Sequence, residues 1–465
     1  MQDECVPLLA GVGVREITPT PEMIDDSLHR TMSVRLDEVG APLLAKALAL
    51  TQGDTQVMLV ALDLCLVMTD QAELVRRRAA EFLGWPPETI LLSCSHSHST
   101  PFLEPLDGPH PFLDFITERI EEAVVEARDA LQPARGGWDV THVVGASFNT
   151  RVPQVDGTVK YTRDFREGLA SGRPIDPRLS VVRWDDMAGR PLAGWVRFAA
   201  HPACVIFDAP VSAEYPGYLA DQLSRTAAQG APVLFGYGAS GDVNCVPMFG
   251  SEQQARQLGH NLAAQAATVF ESIVTREARC LRFTHGTVPL PLDSPPDIET
   301  LDREIAELES FLKRVARDPA AEWVIGINCP PTWPGEKKRG HVTPLLEWAR
   351  KMKQAVLRGD PFPHSWPTQV SCVRMDDLVL AFVSGEPLVE LGLELSSRTP
   401  DSETLLLAQT NGSDGYIGTD QDRRRGGYEL YTGPRYALLK PGRRPLPYAP
   451  GAGAALVEGI LELME

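Results

Sequence analysis

Leu91-Leu92-Ser93-Cys94-Ser95-His96-Ser97-His98-Ser99-Thr100-Pro101 carries an apolar run into two histidines two residues apart. Ile90-Leu91-Leu92 reads as a buried strand, and Pro101 ends the extended run. In an extended chain residues i and i+2 share a face, so both imidazoles are predicted to point the same way. Neutral imidazole is a good zinc ligand, and paired histidines at a strand exit suit a metal site. A lone His-x-His is more often structural. Its weight depends on where the other ligand-type residues fall.

The same pattern recurs along the chain. Apolar runs end at Asp63, at His96 and His98, at His201, at Gly241-Asp242, at Glu386 and, after a short loop, at Tyr416. His201 precedes Pro202, which pushes it to extended geometry at the end of the run Trp195-Val196-Arg197-Phe198-Ala199-Ala200. Helical spacing over 70–83, 112–131, 218–228, 254–274 and 387–395 separates these runs, and strands are predicted over 141–147, 179–184 and 192–200. Strands alternating with helices mark an α/β protein, here a mixed sheet flanked by helices, with ligands beyond the carboxyl ends of strands. If several strands run parallel in one sheet, their ends meet at one edge. Each residue also has a bland reading: His201 as a turn cap, Glu386 as a helix start, Tyr416 as a packed loop aromatic.

Composition narrows the class. The 465 residues are 43% hydrophobic and 23% charged, and the net charge of −18 argues against nucleic acid or anionic membrane as partner. Met1-Gln2-Asp3-Glu4-Cys5 shows no basic or apolar leader, and no apolar run approaches the length of a membrane span. Eight cysteines without a C-x-x-C pair suit reduced thiols, so a cytoplasmic enzyme is expected. Gly11-Val12-Gly13 lacks the third glycine and the helix of a dinucleotide site. Residues 291–366 interrupt the alternation with charged, helical sequence (298–315 and 344–357) and hold four of the eight tryptophans, Trp323, Trp333, Trp348 and Trp366. They are expected to form a helical insertion over the core: a lid, an oligomer contact, or both.

Read in order, these motifs resemble the neutral/alkaline ceramidase family, zinc amidohydrolases that cleave the N-acyl bond of ceramide. Gly11-Val12-Gly13-Val14-Arg15-Glu16-Ile17-Thr18-Pro19 is similar to the family's Gly-Ile-Gly-x-x-Asp-Ile-Thr opening. Ser95-His96-Ser97-His98-Ser99 resembles Thr-His-Thr-His-Ser-Gly-Pro, with Thr100 in place of glycine before Pro101. Asn149-Thr150-Arg151, His201-Pro202, Gly241-Asp242-Val243-Asn244, Ser384-Gly385-Glu386, Tyr416-Ile417-Gly418-Thr419 and Tyr428-Glu429 follow in the family's order. The resemblance implies zinc ligands at His96, His201, Glu386 and Tyr416. It implies that His98 and Tyr428 support the ligands or polarise the substrate, and that Arg151 contacts substrate. Asp242 would orient a water or hold a ligand histidine by its second nitrogen. A metal-activated water would attack an amide carbonyl, whose oxygen needs hydrogen-bond donors.

The departures matter. Asn244 stands where the family carries a serine, so a serine nucleophile at that position is closed; its amide can still donate to an oxyanion. Ser240 and Cys245 are nearby but off the motif. No C-terminal immunoglobulin-like sandwich follows the core. The expectation is therefore a single ceramidase-like domain over 1–465, a zinc-dependent hydrolase of a C–N amide bond in a small soluble substrate. It would bind no nucleic acid and could form a homo-oligomer. The alternatives are an ester or lactone hydrolase with the same zinc site, a true ceramidase and, last, a non-enzymatic metal-binding scaffold.

Overall fold

The computed structural model describes residues 6–24, 34–101, 103, 110–206, 209–322, 332–437, 439 and 442–465. Trp323 and most of the proline-rich stretch before Trp333 lie outside them. The core is an eight-stranded sheet made of two halves. Leu9–Glu16, Leu44–Gln52, Thr55–Leu62 and Ile90–Cys94 form one; Gln132–His142, Arg178–Asp186, Pro191–Phe198 and Val233–Tyr237 form the other. The strand pairing between the halves is short, Leu9-Ala10 with Gln132-Pro133. A second sheet of Leu281–Pro291, Ser365–Met375, Leu378–Val383 and Glu403–Leu407 packs against the first. Both sheets mix parallel and antiparallel pairs.

Four layers result, and the strand Leu378–Val383 shows why. All six of its residues are buried, but alternate ones serve different cores. Leu378, Leu380 and Phe382 meet Trp184, Trp195 and Leu234 between the sheets. Val379, Ala381 and Val383 face Leu391 and Leu395 of the helix Val389–Ser397 and Leu456 and Ile460 of Ala452–Met464. Side chains alternate along a strand, so a strand between two layers must be apolar throughout. The first sheet's other face is covered by Thr69–Leu83, Pro111–Asp129, Glu214–Arg225 and Glu252–Ser272. The Gly-x-Gly near the start is a packing device: a Cβ on Gly11 or Gly13 would meet the backbone of Pro111–Asp129 at 2.2 or 2.1 Å.

The strand exits do not share the edge of one parallel sheet. The two sheets hold three separate parallel pairs: Thr55–Leu62 with Ile90–Cys94, Pro191–Phe198 with Val233–Tyr237, and Leu378–Val383 with Glu403–Leu407. The first two lie at opposite ends of the eight-stranded sheet, the third in the other sheet. Residues 406–411 sew their exits together. Ala239 N–H donates to Leu406 O at 3.1 Å and Ala408 N–H to Tyr237 O at 2.9 Å; Cys94 N–H donates to Gln409 O at 3.1 Å and Asn411 N–H to Leu92 O at 2.9 Å. Buried Lys46 reaches across as well, donating to Val233 O at 2.9 Å.

Two strands carry no clear signal in the sequence. Leu44–Gln52 is rich in Ala, Leu and Lys, residues that favour helices, and tertiary pairing overrides that preference. Gln132–His142 contains Gly136-Gly137, a residue type depleted in strands, yet a Cβ there would strike Met375 or Ile273 at 2.7 Å. The insertion is a pair of helices, Ile298–Arg317 and Gly335–Arg358, between the adjacent antiparallel strands Leu281–Pro291 and Ser365–Met375. The second starts well before the expected 344, with Pro344 in its interior. Leu308, Phe311 and Val315 pack against Val342, Leu345 and Leu346. Among the described residues no helix is long and apolar enough to cross a membrane.

Candidate metal centre

The His-x-His pair is not extended. The strand ends at Cys94, and His96 takes a left-handed backbone, φ 65°. This turn is held by Ser95 N–H donating to Leu62 O at 2.8 Å and His96 N–H to Leu64 O at 2.9 Å. The rings still come together, centroids 4.8 Å apart, but nearly perpendicular. His201, from the opposite end of the large sheet, brings its ring within 5.0 Å of His96. Glu386 arrives from beyond the second sheet's parallel pair, on a two-residue strand aligned with Tyr416-Ile417.

Ligand atoms of His96, His201 and Glu386 all lie within 4.8 Å of one another, and all three residues are buried. Glu386 Oε2 is 3.2 Å from His96 Nε2 and 3.3 Å from His201 Nε2, yet makes no aligned hydrogen bond. The far nitrogens explain this. His96 Nδ1 lies 2.6 Å from the Cys65 carbonyl and His201 Nδ1 2.8 Å from the Ser240 carbonyl, so each carries its proton there. In the neutral tautomers two Nε2 lone pairs then converge on a carboxylate oxygen with no proton between them. A cation satisfies that arrangement; the protein alone does not.

The remaining expected residues surround this triad. Tyr416 sits beside Glu386 in strand register, and burial, then the charge of Glu386, drives its phenol well above the usual value. Its ring is 5.8 Å from that of Tyr428, whose phenol is raised chiefly by burial. Gly241 must be glycine: a Cβ there would lie 2.9 Å from the Glu386 carbonyl and 3.0 Å from the Tyr416 ring. His98 Nδ1 faces the His96 carbonyl at 2.9 Å, leaving Nε2 as an acceptor. Burial and the neighbouring His96 and His201 push His98 well below its ordinary value, so it is neutral at pH 7. Asn244 bridges His201 in parallel and is hydrogen-bonded to Tyr161, while its Oδ1 is buried without a protein partner.

Two residues lie elsewhere than the resemblance implies. Asp242 does not reach a ligand histidine; its oxygens accept from Val389 N–H at 2.8 Å and Asn149 Nδ2 at 2.7 Å. The carbonyl of Ser240 orients His201 in its place. Arg151 has no exposed area and donates to Glu429 at 2.5 Å, Asp422 O at 3.0 Å and Gly426 O at 2.9 Å. Its guanidinium is bound to protein rather than turned to the cleft. Of the off-motif candidates, Ser240 Oγ donates to Gly238 O at 3.0 Å, and Cys245 Sγ sits 3.2 Å from Cys204 Sγ.

Three residues at the site had no signal in the sequence. Tyr237 stacks on His96 with centroids 4.9 Å apart and places its hydroxyl 3.0 Å from His201 Nδ1. Cys65 supplies the orienting carbonyl, and its thiol lies 3.6 Å from His96 Nδ1, on the ring nitrogen away from Glu386. Cys65, His96 and His98 form a second convergent group, but burial holds the Cys65 thiol well above its ordinary value, which disfavours a thiolate ligand. Glu214 is buried at φ 49° and accepts from Cys204 N–H at 2.7 Å, His98 N–H at 3.2 Å and Ser99 Oγ at 3.1 Å, tying the two histidine loops together.

At the level of sequence no family model and no curated protein matches the chain. Solved structures do. A neutral ceramidase from Pseudomonas aeruginosa superposes with a TM-score of 0.67 at 15% identity, covering 98% of this chain and 74% of that one. A ceramidase complexed with C2 gives 0.65 at 15% identity, over 98% and 75%. The layered sheets and flanking helices described above are thus the fold of neutral ceramidase.

Proposed function

We propose that the protein is a zinc-dependent hydrolase that cleaves a C–N amide bond in a small molecule by metal-activated water. The carrying observation is the pair of Nε2 lone pairs aimed at the Glu386 oxygen, each imidazole locked from behind by a carbonyl. Two imidazoles and a carboxylate are a common zinc donor set, and Tyr416 beside Glu386 is the proposed fourth ligand. A zinc ion there supplies Lewis acidity and lowers the pKa of a water toward neutrality.

The chain's own groups divide the remaining work. His98 Nε2, unprotonated, accepts a hydrogen bond from the attacking water and aims it; its depressed basicity suits orientation better than lasting proton storage. Tyr428 keeps its proton at neutral pH and donates to the developing oxyanion, with the Asn244 amide beside it. Arg151 acts through Glu429, fixing the backbone turn that presents Tyr428. Asp242 braces the loop from Gly241 to Asn244 against Asn149 and the start of the helix Val389–Ser397. No nucleophilic side chain is required.

The test is metal analysis of the purified protein with a mass-spectrometric screen of N-acyl compounds, each paired with its ester analogue. Stoichiometric zinc and turnover of amides are expected. Exclusive turnover of esters or lactones would reassign the reaction, and a metal-free protein that hydrolyses amides would remove the proposed mechanism.

A further inference from the structure

Asn244 holds one buried oxygen that the proposed reaction does not use. Val243 and Cys245 on either side of it belong to the apolar core, so the side chain between them faces the other way. His201 bridges Asn244 in parallel and Phe148 pairs with it antiparallel, and directly paired residues share a face. The carboxamide therefore lies on the face from which His201 Nε2 approaches Glu386 Oε2 at 3.3 Å.

The surroundings account for the nitrogen of this carboxamide but not for its oxygen. Asn244 is 4% exposed, and among the described residues its Oδ1 has no hydrogen-bond partner. The hydrogen bond to Tyr161 is thus made by Nδ2. The neighbours on its own face offer Oδ1 no donor. Phe148 is apolar and fully buried, and His201 turns Nδ1 to the Ser240 carbonyl and Nε2 to Glu386. The Tyr161 ring is 5.7 Å from that of Tyr428, which is 5.8 Å from that of Tyr416. Tyr161 so holds the carboxamide beside the groups proposed to meet the carbonyl. Nδ2 has a second hydrogen, so donation to an oxyanion and acceptance at Oδ1 do not compete. A buried acceptor without a donor is costly, and a site that carries one favours ligands bringing the donor over analogues that lack it.

We propose that Asn244 Oδ1 accepts the N–H of the scissile amide, so that the substrates are amides bearing a hydrogen on nitrogen, with esters, lactones and N-alkylated amides disfavoured. Calling this N–H part of a scissile bond rests on the hydrolase reading; the selection of a ligand N–H by Oδ1 does not.

The test is calorimetric titration of the full-length zinc-loaded protein with hexanohydroxamate and with its N-methyl derivative, two zinc chelators that differ by one N–H. The N–H compound should bind about tenfold or more tighter. Asn244→Leu, close in volume but without the acceptor, should bring the two affinities within about twofold of each other with zinc content unchanged. Asn244→Ala takes its place if the leucine variant does not fold. Equal affinities in the wild type overturn the proposal, the result expected if a bound water already satisfies Oδ1. So does failure of both hydroxamates to bind. A preference that persists in the variants also overturns it, since crowding by the methyl group would then be the cause. Selection of the N–H compound by a protein that turns over no amide leaves the acceptor standing and removes the hydrolase reading; amide turnover with equal hydroxamate affinities does the reverse.

Discussion

Two buried clusters of charged and polar side chains adjoin in this molecule, and they differ in one respect. His96, His201 and Glu386 converge, and among the described residues Glu386 Oε2 between them has no hydrogen-bond partner. Arg151, Arg173, Asp242, Asp422 and Glu429 are as deeply buried, but every carboxylate has a guanidinium: Arg151 serves Glu429 at 2.5 Å and Asp422 at 3.5 Å, and Arg173 serves Asp422 at 2.7 Å and Asp242 at 3.5 Å. Burial would raise the Asp422 carboxyl, but Arg151 and Arg173 win and lower it. In the first cluster the carboxylate faces two imidazoles and no guanidinium; in the second every carboxylate has a guanidinium beside it. The difference separates a site that binds from a scaffold that holds it, though both read in the sequence as scattered polar residues.

Four experiments break or sharpen that contrast. The largest effect belongs to the unbalanced cluster. His96→Ala and His201→Ala should lose zinc and, with several kcal/mol of transition-state stabilisation gone, roughly 10³-fold or more in turnover, measured by metal analysis and steady-state kinetics. Full zinc occupancy in both variants would sink the site as drawn.

Next comes the balanced cluster. Arg151→Met leaves Glu429 and Asp422 buried without their partner and should cost about 3–5 kcal/mol in denaturant unfolding. Zinc content should stay near that of the wild type. Metal loss in the folded variant would mean the clusters are one unit.

Asn244→Ala should lower kcat by about 10- to 1000-fold, the usual cost of one oxyanion donor, with the fold and zinc retained. Trapping a covalent acyl-enzyme from the wild type would contradict a role confined to donation.

The smallest effect is a pH dependence in a third balanced pair. Burial would raise the Asp176 carboxyl, but Arg197 at 2.7 Å and Arg178 at 2.8 Å hold it far below its ordinary value of 3.8. A depressed acid stabilises the fold fully above its unfolded value and loses that contribution as pH falls through 3.8 toward its folded value. Asp176→Asn should therefore flatten the acid limb of a stability–pH curve and cost roughly 1–3 kcal/mol at pH 7. An unchanged acid limb would assign acid sensitivity elsewhere.

What was legible in the sequence was side-chain chemistry at strand exits. His96, His201 and Glu386 each end an apolar run, and the structure brings them together. What was not legible was whatever the backbone supplies. The carbonyls of Cys65 and Ser240 orient the two imidazoles, and a carbonyl has the same identity at every position. The sequence therefore pointed to Asp242, a side chain that could have done that work. Tyr237 stands between Gly236 and Gly238 with no chemical signal of its own, and its hydroxyl became meaningful only once His201 lay against it. The fold class was readable from alternation. The division into two sheets was not, because an all-apolar strand such as Leu378–Val383 fits a helix-covered sheet as well as a sheet-covered one. The four insertion tryptophans looked alike; the structure buries Trp348 at 1% exposure in the core and leaves Trp333 half-buried against Arg163.

The stitch at residues 406–411 has a consequence for biosynthesis. A chain emerging from a ribosome makes His96 and His201 early, but Glu386 and the segment that joins their strands come only after most of the 465 residues are translated. Until then the two exits are joined through Glu214 and its neighbours, and the candidate ligand set lacks its carboxylate. A product released before Glu386 would therefore lack the carboxylate of the candidate site. If the proposed zinc binds there, a nascent-chain series assayed for bound zinc should gain it only after Glu386 is made.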